Sequence, residues 1–259
     1  MARQLRTQGI KKMKLSFAFL AFLLFASCSN ITTPGSSNNN SNGGQFGADY
    51  LPLTDNTVWT GHVTGSAQYL DANGNVTQTD EVDQDYSAAL GFVETRAGKS
   101  VYPLILSDKH GSQTVGYGGI LDSEVFGLNE FSNDAEDAAT ILPRVLTVGQ
   151  TWTPAPEALP IQCQAKLVQR LAQFTTKGGT PYNEVIQVFA TYLDSTSQFN
   201  QYDSTMTKYS ANADLYFANG VGLVEADVHS VDYIEFDIYG GTYYDFYHTI
   251  SGGTVWRKD

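Results

Sequence analysis

Cysteine is nearly absent: the 259 residues hold two, Cys28 and Cys163. That excludes the disulfide framework that staples many small secreted domains. Basic residues are scarce after the start. Of the 15 Lys and Arg, five (Arg3, Arg6, Lys11, Lys12 and Lys14) precede residue 15, and all 27 acidic residues follow it. From Cys28 onward ten basic residues face 27 acidic ones, a formal charge of −17. Such a surface repels phosphate backbones, so nucleic acid is not an expected partner. It repels anionic lipid headgroups too, so no basic patch holds the chain to a membrane. No apolar run reaches the about 20 residues a membrane-spanning helix needs.

Catalytic signatures are missing as well. The sequence has no HExxH, no G-x-S-x-G elbow and no phosphate-binding loop. Gly116-Tyr117-Gly118-Gly119 lacks the strand–helix setting of a dinucleotide loop. His62, His110, His229 and His248 form no close pair in sequence. An active site assembled from distant residues stays open, but nothing speaks for one. The expectation is a protein that is not an enzyme and needs no cofactor.

The longest apolar run is Leu15 to Ala26, twelve residues in which Ser16 is the one polar member. Its length suits the central region of a secretory signal, and the preceding lysines and arginines make a positive n-region. It ends in small residues, Ala26 and Ser27, and then Cys28. Translation from Met13 would give a complete short signal by itself.

Leu24-Phe25-Ala26-Ser27-Cys28 resembles the lipobox of bacterial lipoproteins, with Phe25 where that pattern prefers Leu. The resemblance implies cleavage after Ser27 and acylation of Cys28 at its thiol and new amino group. Several acyl chains make a stable anchor where one binds only marginally. Residues 28–48, rich in Ser, Asn and Gly, read as a flexible tether with a mean reach of roughly 25 Å. Ser29 differs from the Asp that retains some lipoproteins at the inner membrane, and no acidic surface-export signal follows Cys28. The expected address is the cell envelope, at an outer membrane facing the periplasm.

Residues 49–259 are expected to form one antiparallel all-β domain, curved or a half-barrel, with one or two short helices. Period-two alternation carries this reading. Ala211, Ala213, Leu215 and Phe217 share a face, as do Ile186, Val188, Ala190 and Tyr192, and Ile234, Phe236 and Ile238. Turn signals separate the strands at Asp71–Asn75, Asp108–Gly111, Lys177–Pro181, Asn219-Gly220 and Gly240-Gly241. The segments Asp122–Phe131 and Ser132–Leu142 read as short helices, the second ending before Pro143. "LTDNTVWT" at Leu53–Thr60 echoes "LTVGQTWT" at Leu146–Thr153. The echo marks two related halves, or is chance between Thr-rich strands.

Two further stretches resemble signatures of uncharacterised bacterial envelope lipoproteins, Y-x-P-L-x-x-G-x-x-W and A-x-G-V-G-L-V. Tyr50, Pro52, Leu53 and Trp59 match the first, without its glycine; Ala218, Gly220, Val221, Gly222, Leu223 and Val224 match the second. "GTPYNEVIQV" resembles a middle hairpin of the same group. The resemblance implies a β-rich envelope domain and carries over no catalytic residue. Gly220 and Gly222 read as a tight turn.

The candidate sites are few. Asp71, Asn73 and Asn75 suit a hairpin turn better than a calcium loop, since Val76 and Val82 stand where Gly and Glu are wanted. Glu81, Asp83 and Asp85 share a strand face, which is either solvated or a cation site. Cys163 reads as a small buried hydrophobe. Ten of 15 tyrosines lie between Tyr182 and Tyr247, as cross-strand pairs or a stacking surface for glycan or protein. The leading expectation is a lipid-anchored, non-enzymatic binding or structural module, for a hydrophobic ligand held by a curved sheet. The alternatives are an assembly or adhesion module acting through the Tyr-rich strands, and a hydrolase without a recognisable motif.

Overall fold

The computed structural model describes residues 46–70, 75–108, 111–128, 138–154, 161–200, 205–237 and 243–258. The leader and residues 28–45 of the expected tether, Cys28 included, lie outside them, as do His110, most of Asp71–Asn75 and Gly240-Gly241, whereas residues 46–48 of that tether belong to the folded end.

The chain enters through one helical turn, α1 (Gly47–Tyr50), and then forms strands. The first group is β1 (Val58–Leu70), β2 (Val76–Leu90), β3 (Glu94–Arg96), β4 (Lys99–Asp108), β5 (Gly111–Leu121), β6 (Glu124–Leu128) and β7 (Ala139–Leu142). The second is β8 (Thr151–Trp152), β9 (Ile161–Thr175), β10 (Pro181–Asn200), β11 (Thr205–Ala218), β12 (Gly222–Asp237) and β13 (Tyr243–Lys258). The expected antiparallel all-β fold is present as one large curved sheet that does not close into a barrel. Its order is β7-β6-β5-β4-β2-β1-β13-β12-β11-β10-β9-β8, with β3 paired to β4 alone. Each group is a meander of hairpins, and β1 and β13 join them through a ladder from Thr60↔Lys258 to Leu70↔Tyr247.

Alternation builds the concave face. Ile186, Val188 and Ala190 on β10 and Ala211, Ala213, Leu215 and Phe217 on β11 are all buried in one core. The same core takes Trp59 and Val63 from β1, Leu104 from β4 and Leu142 from β7, so the sheet curls around it. Each fully buried Leu or Phe stabilises the fold by about 1.5–3 kcal/mol.

The N-terminal segment closes one end of this curl. Tyr50, Leu51 and Leu53 are buried, and Arg170 on β9 donates to the Tyr50 hydroxyl (3.0 Å) and to the Leu146 carbonyl (2.8 Å). Burial raises the Tyr50 phenol above its ordinary range, against the opposing charge of Arg170. Gly47 allows the approach: a Cβ there would lie 2.5 Å from the Pro143 carbonyl oxygen.

The two expected helices are corrected. Asp122–Phe131 starts as a hairpin turn and continues as β6; of Ser132–Leu142, the described part includes β7. Asp122 and Ser123 both have positive φ (50° and 70°), and Leu121 pairs with Glu124. That is the two-residue turn that suits a twisted hairpin, and an N-cap needs extended φ instead. The described helix is α1, which the alternation did not announce.

The echoed segments fold alike. Leu53 and Leu146 are both buried. Asn56 (φ 59°) and Gly149 (φ 88°), at matching positions, are both left-handed. Thr57 N–H donates to Thr54 O as Gln150 N–H does to Thr147 O, and Leu90 N–H to Thr57 O as Leu167 N–H does to Gln150 O. Trp59 pairs with Ala88, and Trp152 with Ala165.

Candidate functional site

Two cross-strand rows carry most of the described polar chemistry, on the convex face. By register the first runs Asp85, His62, Trp256, Glu225, Tyr216, Gln187, Gln169 across β2, β1, β13, β12, β11, β10 and β9. The second runs Asp83, Thr64, Thr254, Asp227, Asp214, Phe189, Lys166 across the same strands. Alternation explains the placement, since their neighbours Val63, Ala226, Leu215 and Val188 fill the core.

Each histidine in this belt is held by carboxylates. His62 Nδ1 lies 2.7 Å from Asp85 and Nε2 3.2 Å from Asp83, with the Trp256 ring 4.8 Å away. His229, at a bulge in β12, places Nε2 2.7 Å from Asp214 Oδ2, and Gln187 donates to Asp214 Oδ1. His62 meets carboxylates at both ring nitrogens and His229 meets one at Nε2, so the acidic residues of the belt fix the orientation of both rings.

The β9–β10 loop folds over the belt like a strap. Lys177 donates its backbone N–H to Glu225 (2.6 Å) and its Nζ to Asp227 and Thr254 (both 2.7 Å). Gly178 lies flat on Trp256, where a Cβ would come within 2.5 Å of the indole. Glu225 is buried, and that burial raises its carboxyl above the ordinary range, against the Lys177 N–H and charge. Tyr216 stacks on Phe174 at 4.2 Å. Burial, and then Asp214, Glu225 and Asp227, push its phenol up to about 12. At neutral pH that phenol is a hydrogen-bond donor and not a base.

The acidic face expected on β2 is there: Glu81, Asp83 and Asp85 are exposed, with His62 beside the last two. Among the described residues no group of three His, Cys, Asp or Glu is arranged to hold a metal ion. Cys163 is half-buried on β9 and forms no disulfide. Tyr243, Tyr244 and Tyr247 lie on β13, and the register sets Tyr69, His248, Tyr233 and Tyr209 opposite one another across four strands. Cys28 lies outside the described residues.

The segments around Tyr50, Glu184 and Gly220 meet at the capped end. Gly220 N–H donates to Asp49 O (2.7 Å), one residue before Tyr50, and Asn219 bonds Glu184 through backbone (3.1 Å) and side chain (2.6 Å). Gly220 and Gly222 have positive φ (70° and 99°), as a tight turn requires. The sequence placed these stretches on strands and turns but gave no sign that they touch. The strap was also missed; its one signal was Lys177-Gly178-Gly179 in a β-turn, where glycine permits close approach. No family model matches the chain, and no curated protein matches it.

Proposed function

We propose that the chain is a lipid-anchored protein of the bacterial cell envelope, whose β domain is a non-enzymatic binding or structural module for a hydrophobic ligand. The anchor reading rests on Leu24-Phe25-Ala26-Ser27-Cys28 behind a short apolar run, with acylated Cys28 at an outer membrane facing the periplasm. The binding reading is carried by one observation: a single curved sheet wraps an apolar interior that α1 and residues 51–57 cap at one end. At the other end β10 runs on from Ala190 to Asn200 and β12 from Val228 to Asp237, roughly 30 Å of strand beyond the described core. The matching geometry of Leu53–Thr60 and Leu146–Thr153 supports two related halves within the domain.

Two measurements test this reading. Cys28→Ser should abolish palmitate labelling and release the protein from membranes; unchanged labelling sinks the anchor. Native mass spectrometry of that released protein, purified without detergent, should show bound lipid. A ligand-free spectrum, with no apolar guest displaced by a fluorescent fatty acid, sinks the binding reading.

A second reading, docking of envelope protein or glycan through the Tyr-rich strands, is favoured by the aligned row Tyr69, His248, Tyr233 and Tyr209. Glycan arrays and envelope crosslinking discriminate it from lipid binding.

A further inference from the structure

The capped end of the sheet exposes large apolar side chains on most of the segments that close it. Phe46, Phe92, Val93, Leu121, Val145 and Val148 are all exposed, Phe92 at 72%. They come from four different turns or loops, and hydrogen bonds draw those segments together. Phe46 bridges Val145. Ala48 N–H donates to Ser123 O, beside the turn that carries Leu121. Asp55 accepts from the Val93 N–H, next to Phe92. Single exposed apolar residues need no explanation, but a rim of them around one end marks an interaction surface.

Phe46 also identifies the partner. It is the first described residue, and Cys28 lies eighteen residues upstream of it. The seventeen residues between them are mostly Ser, Asn, Thr and Gly, with Ile31 their one large apolar residue, so they bring little apolar surface to the rim. The chain from Cys28 joins the domain at Phe46, on the capped end, and the far end lies a further β1 length of roughly 40 Å away. An acyl group on Cys28 therefore attaches to the domain through the capped end.

We propose that the capped end is the membrane-facing surface of the domain, its apolar rim resting in the headgroup region of the bilayer to which Cys28 is anchored. The orientation rests on the anchor reading above; the rim's affinity for lipid does not. Exposed charges at this end have both signs, Glu94 and Asp122 with Arg144, so the contact depends on apolar burial more than on anionic lipid.

The test uses the full chain in bacterial cells with a photo-crosslinking residue at position 92 or 148. Val76, exposed at the far end, and Gln164, exposed on β9 away from the capped end, serve as control positions. Lipid adducts are counted by mass spectrometry, and palmitate labelling of the same chains is read in parallel. The expected result is a several-fold excess of lipid adducts at 92 and 148 over 76 and 164, in acylated protein. Equal yields at all four positions overturn the proposal. So do adducts to a second copy or to another protein in place of lipid at 92 and 148. Absence of the acyl label defeats the anchor alone. The same adduct ratio, measured with phosphatidylethanolamine vesicles added to the lysate, then decides the rim.

Discussion

Trp152 donates its indole N–H to the carbonyl oxygen of Ile141, 3.2 Å away, and so ties the two edge strands of the sheet together. Trp152 belongs to β8 and Ile141 to β7, at opposite ends of the strand order. Where β1 and β13 share a long ladder, here a described side chain reaches across the seam. Both edge strands are short, four residues and two, which limits the bare backbone they offer to other chains. The indole then supplies what a ladder would, a partner for one edge carbonyl.

Trp152→Phe keeps most of the buried ring and removes that donor. The expected loss is about 1 kcal/mol of stability, the net worth of one hydrogen bond. Urea unfolding measures it, and hydrogen exchange should show faster local opening at β7 and β8 than elsewhere. Unchanged stability together with unchanged exchange at the seam would mean that the bond does not hold the edges.

Gly61 and Tyr86 give a second case. They are direct cross-strand partners on β1 and β2, and Tyr86 lies across the glycine, so a Cβ at position 61 would sit 2.0 Å from the ring. Glycine here is a docking surface for an aromatic and not a flexible point. Gly61→Ala should cost about 1–3 kcal/mol, as overpacking does. In a Tyr86→Ala background the same change should cost much less, because the obstructing ring is gone. Equal costs in both backgrounds would refute the pairing.

Much of this architecture was legible before any coordinates. Alternation at Ile186, Val188 and Ala190 and from Ala211 to Phe217 names the concave face, because a half-buried strand must alternate. Asn219-Gly220 names its hairpin, because the turn needs positive φ. The echo between Leu53 and Leu146 names two segments that do fold alike. What failed did so for physical reasons. Asp122-Ser123 suits an N-cap and a tight hairpin equally by composition, and only the pairing of Leu121 with Glu124 decides. The polar belt was illegible as a belt: Asp85, His62, Trp256 and Glu225 become neighbours through register across four strands, and register depends on bulges such as the one at His229. Asp83 and Asp85 were visible as a face, but the histidine between them comes from another strand. The capped end is a further case, since Asp49 and Gly220 meet only after the sheet has curled.

Glu225 makes the belt sensitive to pH. It is buried, accepts the Lys177 N–H, and has Asp227 nearby. Burial raises its carboxyl above the unfolded value, and Lys177 offsets part of that rise. In the window between the unfolded and folded values, the native state binds more protons than the unfolded chain, so stability falls as pH rises. The contribution is fully present below the ordinary carboxylate range and is lost once pH exceeds the raised folded value. Glu225→Gln keeps an acceptor for the Lys177 N–H and removes the ionisation. The variant should therefore lose this descending limb, and its stability should equal or exceed that of the parent at neutral pH. Thermal melts of both proteins from pH 4 to pH 8 provide the comparison. If the parent instead gains stability across that range relative to the variant, the Lys177 charge outweighs burial, and the strap is an ion pair first and a buried hydrogen bond second.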